Sequence, residues 1–199
     1  KTVVPGDIMY KDVNGDGVIN YMDERPIGYR SDSTPTLNFG INLSASWKGF
    51  DLAMDWTGSG MTSWQQQYET ARPFQNDGNS PDEVFKDAWH LADIWDADSQ
   101  LIPGKYPLIR LNNEETSAYD KSTFWLHNVK YIKLRNLEFG YTLPKRIVAK
   151  AGISNLRLYV SGTNLFSISN IPFMDPECIN SNGLDYPTMR VVNLGINLK

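Results

Sequence analysis

Residues 12–23 read Asp-Val-Asn-Gly-Asp-Gly-Val-Ile-Asn-Tyr-Met-Asp, a spacing that can do one piece of chemistry, the coordination of a hard divalent cation. Asp12, Asn14 and Asp16 offer side-chain oxygens at loop positions 1, 3 and 5. Gly17 at position 6 permits the sharp turn, Val18 presents a backbone carbonyl, Asn20 gives a direct or water-mediated contact, and Asp23 closes the set at position 12. Ca²⁺ takes six to eight oxygens, so this register fits it. Two features depart from a helix–loop–helix calcium site. The closing residue is Asp with Glu24 one place later, and the flanks are wrong, because residues 6–10 look extended and Pro26 stops any helix that follows. The same residue types also form Asx turns that cap their own backbone without metal, and both readings stand at this stage. If metal binds, its role is structural, because no nucleophile or base lies nearby.

No other constellation points to catalysis. His90 and His127 are far apart in sequence, and Asp93, Asp96, Asp98, Glu114 and Glu115 sit in loop sequence, where acidic residues are usually solvated. The chain is not read as an enzyme. Trp64, Trp89 and Trp95 fall in a long irregular stretch and could stack on the apolar faces of a sugar ligand, although the commoner use of such residues is to fold a loop on itself or to pack on a partner. Cys178 is the single cysteine, which rules out an internal disulfide framework. The net charge of −4 and pI near 5.2, with no Lys/Arg cluster, leave nothing to track a phosphate backbone, so nucleic acid is not an expected partner.

The elements that must position these residues are β-strands. Over 36–47, Leu37, Phe39, Ile41, Leu43, Ala45 and Trp47 alternate without error against small and polar residues. Ten steps at about 3.3 Å reach roughly 33 Å. At a tilt of about 40° that projects to about 25 Å, the height of the apolar band of an outer-membrane barrel. Lys48-Gly49 predicts a tight turn into a second strand, with Phe50, Leu52, Met54 and Trp56 on one face. Trp47 and Phe50 flank the turn, where aromatic rings would lie at a membrane interface. The regular pattern stops after Gly58 for more than sixty residues, a long loop by any standard. Within it Ser80-Pro81-Asp82-Glu83 has the form of a capping box and predicts a helix over about 81–92.

Alternation returns over 124–143 with a change of parity that predicts a bulge near Arg135. A helical turn or two is expected before a strand over 155–166, then an irregular stretch, then a last strand over about 188–199. The connections run short, long, medium-short, long, which is the loop asymmetry of a transmembrane barrel. The predicted class is all-β: an antiparallel transmembrane β-barrel segment of about five long strands, open-edged, with long extracellular loops, one containing a short helix. Five strands cannot close a barrel, and the N-terminus reads as the middle of something larger, so a fragment is expected. Mean hydropathy of −0.41 is compatible with strands that show lipid only one face. The competing reading is a secreted β-sandwich module that binds ligand beside a calcium-pinned loop, with its apolar faces buried between two sheets.

Four ordered blocks carry a family resemblance. Residues 5–19 (PGDIMYKDVNGDGVI) with Ile27-Gly28, residues 39–52 (FGINLSASWKGFDL), residues 131–144 (YIKLRNLEFGYTLP) and residues 156–166 (LRLYVSGTNLF) resemble the C-terminal barrel region of SusC/RagA-type TonB-dependent transporters. Members usually finish on an aromatic residue, whereas this sequence stops at Lys199. The resemblance implies an outer-membrane barrel of about 22 strands with an N-terminal plug. It also implies a SusD-like surface lipoprotein as partner, and import of oligosaccharides or peptides energised by the TonB complex through an N-terminal region not present here. The site would be the outer membrane of a Gram-negative, Bacteroidota-like bacterium, with lipid against the barrel. On this reading 1–199 is the C-terminal part of the barrel: a calcium-type loop region at 1–30, a hairpin at 36–58, a long extracellular loop at 59–123, and the last three strands at 124–199.

Overall fold

The computed structural model describes residues 3–29, 34–110, 116–171, 173–179, 183 and 185–199; Glu114 and Glu115 fall outside them. Five strands form one antiparallel sheet: β1 (Leu37–Trp47), β2 (Phe50–Gln65), β5 (Leu126–Thr142), β6 (Leu156–Ser169) and β7 (Val191–Leu198), in the order β1-β2-β5-β6-β7. A small second sheet pairs β3 (His90–Leu91) with β4 (Leu101–Ile102). Among the described residues helical structure is confined to short pieces, chiefly α1 (Asp82–Lys86) and α2 (Lys145–Val148). The expected open all-β sheet of long strands is the observed one.

The chain divides into two units. One comprises Lys1–Asp32, Ser63–Asn128 and Ile179–Asp185; the other comprises Ser33–Thr62, Val129–Cys178 and Tyr186–Lys199, and holds most of the large sheet. In that sheet unit the register puts every apolar column on one face. Ile41 faces Trp56 and Leu43 faces Met54 across β1–β2, Phe139 faces Val160 across β5–β6, and Leu158 and Val160 face Ile196 and Leu194 across β6–β7. A second sheet would bury this face in a sandwich. Here it is bare: Leu194 is 86% exposed, Ile196 66% and Leu43 49%.

Local chemistry explains the boundaries. Lys48 and Gly49 both have positive φ, 48° and 91°, the two-residue hairpin geometry whose twist matches the flanking strands. The expected bulge is present. Leu134 pairs with Phe166 and Asn136 with Thr163, so Arg135 stands opposite an extra β6 residue, and Asn164 takes up the turn at φ 54°.

Two expectations need correction. The second strand does not stop after Gly58 but continues to Gln65. Gly58 looks like a breaker, yet its bare Cα is the seat of the Phe39 ring: a Cβ there would collide with Phe39 Cζ and Cε1. The helix expected over 81–92 is only Asp82–Lys86, and Ser80 does not cap it; its hydroxyl donates to Pro81 O. Pairing of the backbone on both sides of Ala88 with Tyr106 ends the helix. The Tyr106 amide donates to Asp87 O at 2.9 Å and the Trp89 amide to Tyr106 O at 2.9 Å. The third and fourth strands match expectation, with β6 running three residues further to Ser169.

The other unit has an aromatic core. Trp125, fully buried, is stacked with Tyr106 and edge-on to Phe124 at a centroid distance of 4.7 Å, and its indole N–H donates to Ala118 O at 2.8 Å. Ala71, Val84, Ala88 and Tyr119 complete the cluster, with Ile8 packed against it.

Candidate functional site

The calcium-type loop hangs between two anchored arms. On its N-terminal side Gly6 lies under the Trp89 ring, Asp7 pairs with Arg110, and the Tyr10 hydroxyl donates to Ser117 O at 2.6 Å. Burial and the Asp120 carboxylate push the Tyr10 phenol up to about 12, so it stays a donor. On the other side the Tyr29 amide donates to Ser63 Oγ at 2.8 Å.

Between these arms the predicted ligand residues order the loop by gripping its amides. Asp12 accepts from Gly15 N at 2.6 Å and Gly17 N at 2.8 Å, Asn14 from Asp16 N at 2.9 Å, and Asp16 from Val18 N at 2.8 Å. Asp23 ties the ends together, with one oxygen accepting from Val13 N at 2.8 Å and the other from Asn20 N at 2.9 Å. Those bonds, that from Asn20 foremost, hold its carboxyl below the usual range. Asn20 accepts from Met22 N at 2.7 Å, and its amide donates to Val18 O at 3.4 Å. Gly15 and Gly17, at φ 80° and 82°, allow the path. Among the described residues no three His, Cys, Asp or Glu side chains gather as a metal set. The donor set is nonetheless all oxygen, as a hard cation requires, and an oxygen that accepts one amide keeps a second lone pair.

The three tryptophans have different surroundings. Trp64 is buried and stacked on His127, which bonds through Nε2 to Gln66 Oε1 at 2.9 Å. Trp89 packs over Gly6. Trp95 alone shows its ring, at 90% exposure in the connection between β3 and β4.

Periodicity reasoning passed over the polar face of the sheet. Arg157 bonds Asp51 through Nε at 3.1 Å and Glu138 through NH2 at 2.6 Å, and Gly140 leaves room for its guanidinium. Higher on the same face Tyr131, Lys133 and Arg135, spaced two apart on β5, all reach a carboxylate pair from the segment after β6. Glu177 accepts from Tyr131 at 3.4 Å, Lys133 at 2.9 Å and Arg135 at 3.2 Å, and Asp175 accepts from Lys133 at 3.1 Å and from the Thr188 amide at 3.1 Å. Burial alone would raise Asp175, but the Thr188 hydroxyl, the Glu177 amide and Lys133 outweigh it and bring it to about 2. Glu177 is likewise lowered: Lys133 and Arg135 overcome its burial. Charged groups of β5 at alternate positions are a sequence signal for such a face, but their partners lie forty-odd residues away, beyond the reach of periodicity.

An amphipathic open sheet with an uncovered apolar face and an ion-paired polar face is the wall of a membrane barrel rather than half of a sandwich. No family model matches the chain. It is similar to TonB-dependent receptor P3 of Formosa agariphila, with 29% identity over 98% of this chain and 19% of the receptor. TonB-dependent receptor P26 of the same organism is 26% identical over 98% of this chain and 20% of its own length. Among solved structures, the RagAB peptide transporter superposes with a TM-score of 0.61 at 25% identity, over 91% of this chain and 19% of that one. The RagAB peptide importer in its open-open state shares the fold, with a TM-score of 0.58 at 23% identity over 84% of this chain and 17% of that one. The resemblance to SusC/RagA-type TonB-dependent transporters therefore holds over nearly the whole chain, and the chain spans about a fifth of the length of the relatives it matches.

Proposed function

We propose that this chain is a section of the wall of an outer-membrane, TonB-dependent transporter that imports oligosaccharides or peptides in partnership with a SusD-like lipoprotein. The observation that carries the reading is the two-faced sheet, in which bare apolar columns from Leu43 on β1 to Leu194 on β7 back onto a polar face crossed by Asp51, Glu138 and Arg157. In this role the polar face borders a water-filled passage and the aromatics around Lys48-Gly49 sit at the membrane boundary. The likeness to a peptide importer supports peptides as the first cargo to try. Deleting the gene for the full-length transporter in its native host should abolish uptake of a labelled peptide or oligosaccharide pool, and a protonophore should do the same to the wild type. Uptake that persists after deletion would refute the transporter reading.

The loop of Asp12, Asn14, Asp16, Val18, Asn20 and Asp23 is read as a structural Ca²⁺ loop that stiffens the segment between its two anchored arms. Its all-oxygen donor set and the turn already held by Asp23 support this. In the purified full-length transporter, Ca²⁺ should protect residues 12–23 from proteolysis with a midpoint of about 10⁻⁴–10⁻³ M, the range of extracellular calcium modules. Asp12→Ala combined with Asp16→Ala should remove the protection. Equal protection with chelator and with Ca²⁺ would instead support the metal-free turn.

A further inference from the structure

We propose that the segment after β6, residues 173–178 and 186–190, is a strap locked against the polar face of the sheet that narrows the passage at that level and so sets the size of cargo admitted. The inference rests on the reading above for what the polar face borders, but the lock itself stands on geometry within one unit of the fold. Lys133, Tyr131 and Arg135 occupy alternate positions of β5, and so project from the same face. The opposite parity, Ile132 and Leu134, pairs with the apolar Ile168 and Phe166. Asp175 and Glu177 come down onto the polar side and meet all three donors.

The lock is charge-balanced and largely buried, with Arg135 at its more open edge, 34% exposed. The Lys133 side chain is only 4% exposed, Asp175 11% and Glu177 16%, and two cations face two carboxylates. Thr188 fastens the far end of the strap, its amide and hydroxyl both donating to Asp175, while Asn164 in the bulge donates to Met189 O at 3.2 Å and accepts from Arg135 at 3.0 Å. The β6 bulge thus serves the strap: it turns Asn164 to bridge Arg135 and the segment leading into β7. A loop that merely covered the barrel rim would have no need of a buried lysine. Burying a charge is tolerated only when fully paired, so the strap and the wall are held as one piece.

Cys178, beside Glu177, is half-buried and its thiol points to Tyr186 O at 3.5 Å, which makes it a native reporter of the strap. The test uses the full-length transporter in which any other cysteines have been replaced. Maleimide labelling of Cys178 should be slow in the parent. It should quicken by about tenfold or more in Glu177→Gln and in Lys133→Met, since labelling follows the opening equilibrium of the segment. Arg135→Lys, which keeps the charge, should give a smaller change. If Lys133→Met fails to fold, as judged by heat-modifiable electrophoretic mobility, the milder Glu177→Gln carries the test. Released variants should also take up longer peptides or oligosaccharides than the parent. Unchanged labelling in folded variants would overturn the lock. Faster labelling with an unchanged cargo limit would overturn the constriction. Labelling needs no transport, so a parent that imports nothing would count against the transporter reading while the lock is still decided.

Discussion

Replacing Leu194 with arginine should destabilise the membrane-embedded transporter by about 2–4 kcal/mol, the cost of a cation on the lipid face of a barrel strand near the bilayer midplane. Leu194 lies in the middle of β7, flanked on the same face by Val192 and Ile196, and is 86% exposed. Across the ladder it faces Val160, so no polar partner is at hand for the guanidinium. Asn193→Arg, one residue away on the opposite face, is the control and should cost little, because it meets water. Reversible denaturant unfolding in lipid vesicles measures both. If water rather than lipid met this face, Leu194→Arg would cost as little as Asn193→Arg, so equal effects at the two positions would remove the distinction between the faces.

The second large effect concerns the other unit. Trp125→Ala should cost the 66–125 connection about 3–5 kcal/mol of local stability, as large-to-small changes of buried aromatics do. Trp125 has no exposed surface, touches Tyr106, Tyr119 and Phe124, and would strand the carbonyl of Ala118 when its indole N–H is lost. The connection should become protease-sensitive, with cuts mapped by mass spectrometry to 66–125, while the heat-modifiable mobility of the barrel is retained. Trp125→Phe should be intermediate, since it keeps the apolar ring and loses only the hydrogen bond. A protease-resistant Trp125→Ala connection would show that the aromatic cluster is not what holds it.

The contrast between these units explains what the sequence made legible. The apolar columns of β1 and β7 alternate because every second residue projects from the same face of the sheet, and such a one-body pattern is visible in any window of the chain. The turn at Lys48-Gly49 and the bulge opposite Arg135 are equally local, set by φ preference and parity. Where structure depends on a distant partner, periodicity fails. Gly58 reads as a stop, but it is a seat for Phe39 from the neighbouring strand. Residues 87–91 read as helix, but Tyr106 takes the backbone of Asp87 and Trp89, and β4 pairs with His90 and Leu91. Of the tryptophans, Trp64 and Trp89 are spent on His127 and Gly6, contacts that no spacing rule announces. The charged lock on the polar face is the extreme case: Lys133 appears in sequence as one more solvated lysine, and only the fold brings Asp175 and Glu177 to it. The metal-type loop lies between these limits, because its ligand register is local while its arms depend on Arg110 and Ser63.

The claim that one face of this sheet meets lipid and the other lines a passage is tested most directly by spin labels placed one at a time along β1 and β7 of the full-length transporter in bilayers. Collision rates with oxygen, which partitions into lipid, and with a water-soluble nickel chelate are then compared. Labels at Ile41, Leu43, Val192, Leu194 and Ile196 should collide with oxygen and be shielded from nickel, and labels at Asn42, Ser44 and Asn193 should show the opposite, giving a period of two that runs out of phase between the probes. Nickel access on both faces, or shielding from both probes at the apolar positions, would contradict the account.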